Sequence, residues 1–84
     1  MTYQSEIERI ATAVHRGADL YGVVAESEWV TDPGCFGSVL CSTEHPDEYA
    51  RLADPDMDAE EWEACAPHVA FFAMCADVRE RLHT

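Results

Sequence analysis

Apolar residues recur at steps of three and four through the first part of the chain. Ile7, Ile10, Ala11, Val14, Ala18 and Tyr21 fall on one face of a helix. Ser5 stands where a cap belongs, and Glu8 three residues later completes a capping box. The same phase continues through Ala25 to Trp29, so a long N-terminal helix is expected. Gly17 and Gly22 are its weak points, and Glu26 and Glu28 sit badly against the negative end of its dipole. The alternative is an α+β fold with a hairpin over residues 21–41. In it Tyr21–Val30 forms one strand, Asp32-Pro33-Gly34 the turn, and Phe36–Cys41 the returning strand.

Residues 31–44 lack either period and read as an irregular loop, anchored by Phe36, Val39 and Leu40. Pro46 suits the first position of a short helix with Asp47 and Glu48 in its first turn, Tyr49 and Leu52 facing inward, and Asp54-Pro55-Asp56 ending it. The last helix has the clearest signals. Asp58 caps it, Glu60 and Glu61 fill the first turn, and Arg79, Arg81 and His83 lie at the far end. Pro67 removes a backbone donor inside it and predicts a kink or split near Ala66. The fold class is therefore mainly α, in a single domain spanning residues 1–84.

That last helix is more apolar than its surroundings explain. From Ala64 to Ala76 no residue is charged. Trp62, Cys65, Val69, Phe72 and Ala76 form one stripe; Phe71, Met74, Val78 and Leu82 form a second. Either both stripes are buried in a bundle, or one meets another protein or a second copy. Phe71, Met74 and Val78 are the candidates for such a contact.

Charge changes this picture more than size does. The chain has 84 residues, 17 acids, five arginines and no lysine, for a net charge of −12. Phosphate recognition needs clustered cations, so direct nucleic-acid binding is not expected, and neither is an anionic membrane surface. Nine of the acids lie between Glu44 and Glu63, with Arg51 the one cation among them. Glu44, Asp47, Glu48, Asp54, Asp56, Glu60 and Glu61 are the candidate contacts for a basic partner surface, with Trp62 as an aromatic anchor. The run from Asp54 starts like a calcium loop and then fails, since Ala59 replaces the turn glycine and Cys65 the closing carboxylate.

The N-terminal residues Met1–Glu6 carry neither a basic region nor an apolar run, and 13 uncharged residues are too few for a membrane span of about 20. A cytoplasmic location with reduced thiols is the expectation. Lysine and asparagine are both absent, which suits a GC-rich source.

The four cysteines follow Cys-x5-Cys-x23-Cys-x9-Cys and contain no Cys-x2-Cys knuckle. Cys65 and Cys75 stand ~15 Å apart along an unbroken helix and cannot share a metal or a disulfide. If a zinc ion or iron–sulfur cluster is held at all, Cys35, Cys41, Cys65 and His68 are the set, with His45 as substitute; no metal and no cofactor is the favoured reading. No nucleophile elbow and no phosphate-binding glycine loop is present. The expected function is that of a small acidic protein-interaction module, not an enzyme: an inhibitor or regulator, a phage-encoded one among the options, that binds a basic surface of a partner protein. The alternatives are a cysteine-based metal or iron–sulfur regulatory module and an obligate homo-oligomer, such as a homodimer, joined through the last helix.

Overall fold

The computed structural model describes residues 2–42, 56 and 58–83, and at Ala59, Trp62 and Glu63 the backbone alone. The helix expected after Pro46 lies outside these residues, as do Glu44, His45, Asp47, Glu48 and Asp54. The described chain is five helices without a strand: α1 (Tyr3–His15), α2 (Leu20–Ala25), α3 (Glu28–Thr31), α4 (Pro33–Ser42) and α5 (Ala59–Leu82). The mainly helical class holds, and the hairpin over residues 21–41 is overturned.

α1 starts three residues earlier than Ser5 suggests. Thr2 is the cap, its hydroxyl accepting from the Ser5 N–H at 3.1 Å while Ser5 Oγ accepts from the Thr2 N–H at 3.0 Å. The expected long helix stops at His15. Gly17 takes φ +107, a conformation open to glycine and costly for other residues, and the chain turns there. Two short helices follow in place of a continuous one. Asp19 caps α2 by accepting from the Gly22 N–H at 3.0 Å, and Ser27 caps α3 by accepting from the Trp29 N–H at 3.3 Å. The supposed loop over 31–44 is largely α4. Asp32 Oδ1 accepts from the Gly34 N–H at 2.9 Å, and Pro33 takes the first helical position, where its missing donor costs nothing. The Asp-Pro-Gly triplet begins a helix instead of closing a hairpin.

α5 runs 24 residues, with Asp58 Oδ1 accepting from the Glu61 N–H at 2.8 Å. Pro67 lies inside it without splitting it. Each of the other four helices packs on α5, and all five contribute to one core. α5's buried face follows Ala66, Val69, Ala70, Ala73, Met74 and Val78, a seam running between the two stripes read from the sequence. Ala70 and Ala73 are fully buried because a methyl group lets neighbouring helices approach closely. Opposite them stand Tyr3, Ile7, Ile10 and Ala11 of α1, spaced three and four apart, with Val24, Val30 and Val39 from the intervening helices.

One carboxylate is part of this interior. Glu6 is 4 % exposed, pairs with Arg9, and accepts from the Ser27 hydroxyl at 3.2 Å. Since Ser27 also caps α3, this bond ties α1 to the start of α3. The Tyr3 hydroxyl donates to Asp77 and Arg81 pairs with Glu8 at 3.2 Å, fixing α1 against the C-terminal half of α5.

Candidate functional site

Two surface features meet along α5. The first is acidic. Asp56, Asp58, Glu60 and Glu61 are exposed at the N-terminal end of α5, where the helix dipole favours negative charge. Asp58 is occupied as the cap. Three arginines act away from this end: Arg9 pairs with Glu6, Arg81 with Glu8, and Arg79 donates to the Tyr21 hydroxyl with its guanidinium 5.3 Å from the ring centroid. The start of α5 therefore carries carboxylates alone, whereas its end carries Arg79 and Arg81 beside Asp77 and Glu80.

The second feature is an apolar groove of about 1020 Å³ between α3–α4 and the middle of α5. Phe36 and Gly37 form one wall, and Pro67, His68 and Phe71 the other. Val30 and Ala66, both nearly buried, lie at its base. Among the described residues few polar side chains reach it. The Thr31 hydroxyl donates to the Ser27 carbonyl at 3.1 Å, so the His68 imidazole is the main polar group on offer. Phe71 stacks on Tyr21 with centroids 6.2 Å apart and meets Phe72 edge-on at 5.5 Å. Phe72, 53 % exposed, and Tyr21, 49 % exposed, extend this aromatic surface outward.

The expected contact residues divide accordingly. Glu60, Glu61 and Asp56 are exposed, and Phe71 is half-buried on the groove wall. Met74 and Val78 are 0 % exposed, so the contact surface expected of them is corrected: α1 and its neighbours cover that face. Phe72, which the sequence reading assigned to the other stripe, is the exposed aromatic instead. The Trp62 side chain lies outside the described residues. The groove itself was missed, because residues from four helices build it and no local pattern records their meeting.

The proposed cysteine set does not assemble. Among the described residues no three His, Cys, Asp or Glu side chains come together as metal ligands, and Cys35, Cys41, Cys65 and Cys75 are free thiols. Cys41 is exposed and Cys75 buried. Desolvation, and then the negative charges of Asp32 and Glu28, push the Cys35 thiol up; its Sγ also donates weakly to Asp32 at 3.9 Å. Burial pushes Cys75 up, with Arg79 opposing. Neither environment favours the thiolate that nucleophilic or metal chemistry needs. No helix among the described residues is long and apolar enough to cross a membrane. No protein family, no curated protein and no solved structure matches this chain.

Proposed function

We propose that the chain is a small acidic protein-interaction module that binds a basic surface of a partner protein and thereby inhibits or regulates it. The observation that carries this reading is the placement of exposed carboxylates at the start of α5, away from the engaged Arg9, Arg79 and Arg81, on a chain of net charge −12. A face of this kind steers a cationic partner from a distance and sets its register on contact.

The test uses an arginine- and lysine-rich peptide as probe, titrated calorimetrically against three proteins. These are the wild type, a variant with Asp56→Lys, Glu60→Lys and Glu61→Lys, and a control with Glu26→Lys, Glu28→Lys and Glu80→Lys. Both variants change net charge equally. Binding is expected to weaken with salt, and the first variant to lose about tenfold or more in affinity relative to the control. Equal losses in both would reduce the effect to net charge and remove the face. Affinity indifferent to salt would remove the electrostatic reading altogether.

A further inference from the structure

We propose that the groove between α3–α4 and α5 receives the apolar face of a cationic amphipathic helix of the partner, its basic residues lying against the start of α5. This rests on the acidic-module reading and specifies what the partner presents.

Three observations carry it. Among the described residues the groove is apolar and open, with Phe36 and Phe71 half-buried on its walls and the Thr31 hydroxyl already engaged. A site with so few convergent polar groups orients a small polar ligand poorly, whereas it suits side chains that ask only for burial. Next, the described chain contains no strand, so no sheet edge is on offer for an extended peptide, and helix-in-groove recognition is the mode that fits. Last, the charge is placed for it. Glu60 and Glu61 precede Pro67 and His68 by seven residues each, two turns along the same face of α5. An occupant with its apolar stripe in the groove brings its flanking cations over these carboxylates. Apolar contact and charge thus address one ligand.

Gly37 supplies a clean test. A Cβ added there meets nothing within 4 Å, and Gly37 lines the groove; a thermal melt of the variant checks that the fold accepts the larger ring. Gly37→Trp should plug the groove without touching the acidic end. The probes are a leucine–lysine peptide of about four helical turns in amphipathic order, a scrambled peptide of identical composition, and a lysine–serine peptide of equal charge. The ordered peptide should bind wild type roughly tenfold tighter than the scramble, the worth of about one well-buried apolar side chain. Gly37→Trp should erase that preference and leave the lysine–serine peptide unaffected.

Equal binding of ordered and scrambled peptides overturns the groove proposal and leaves the acidic face standing. A preference that survives Gly37→Trp overturns it as well, because the apolar contact is then elsewhere. Failure of all three peptides overturns the acidic reading itself, as does binding indifferent to salt. Sizing of the two proteins completes the set: a wild-type dimer that Gly37→Trp returns to monomer gives the groove to a second copy and overturns the proposal.

Discussion

Cys75 is 1 % exposed inside the core, and its burial has a consequence for alkaline stability. Removal from water raises its thiol above the ordinary value of 9.0, with Arg79 pulling weakly the other way, so the fold holds the neutral form. In the unfolded chain the thiol returns to its ordinary value. The folded pKa is the higher of the two, so this contribution is complete below the unfolded value and fades as pH rises from about 9 through the folded one. The urea midpoint should therefore drop on going from neutral pH to above this value, and Cys75→Ala should show a shallower drop. The two proteins differ in this one ionisable group, so the difference in slope is the readout. Identical slopes would assign the alkaline loss to another group. The residue scale is also where the sequence was least legible. Nothing in the spacing of Glu6 marks it as a buried carboxylate, because its partner Ser27 stands 21 residues away. Met74 and Phe72 exchange their expected roles because burial on α5 is decided by where its alanines let other helices approach.

Two glycines have opposite meanings, one between elements and one inside an element. Gly17 holds φ +107 just beyond α1, and a side chain there is strained even though the space around it is open. Gly37 is helical, with equal space and no such strain. Gly17→Ala should destabilise by about 1–2 kcal/mol, whereas Gly37→Ala should stabilise by about 0.5–1 kcal/mol by removing unfolded-state freedom. Urea midpoints of the two variants should move in opposite directions; a shift of the same sign in both would show that conformation is not what separates them. This contrast also explains what could be read at the element scale. Asp58 and the apolar spacing of α1 are local signals, and the helices they announce are present. The α1 end and the start of α4 depend on backbone choices that letters leave open: a glycine such as Gly17 suits a helix interior or a helix end, and Asp32-Pro33-Gly34 suits a turn or a capped start. In the second case the capped start is the one found, and it places Val39, at 0 % exposure, in the core with α4 packed on α5. The groove belongs with these tertiary outcomes, as α3, α4 and α5, with Ala25 of α2, must be in place before it exists.

At the scale of the whole molecule one property acts in two directions. An excess of 12 negative charges on 84 residues repels itself in the compact state, and the described ion pairs, Arg9–Glu6 and Arg81–Glu8, offset little of it. Salt screens repulsion and attraction alike, with a Debye length of about 10 Å at 0.1 M. Because repulsive pairs far outnumber attractive ones, screening should raise the melting temperature of the free protein. Each kcal/mol recovered is worth roughly 4–8 °C for a domain of this size. The same screening should weaken capture of a cationic partner, since that interaction draws on the excess the fold resists. Salt titrations of stability and of binding to the arginine- and lysine-rich peptide should therefore have opposite signs in one buffer. A melting temperature that falls as sodium chloride rises to about 0.3 M would mean that attractive pairs dominate the fold. The carboxylates at the start of α5 would then be held by the protein itself instead of being kept for a partner.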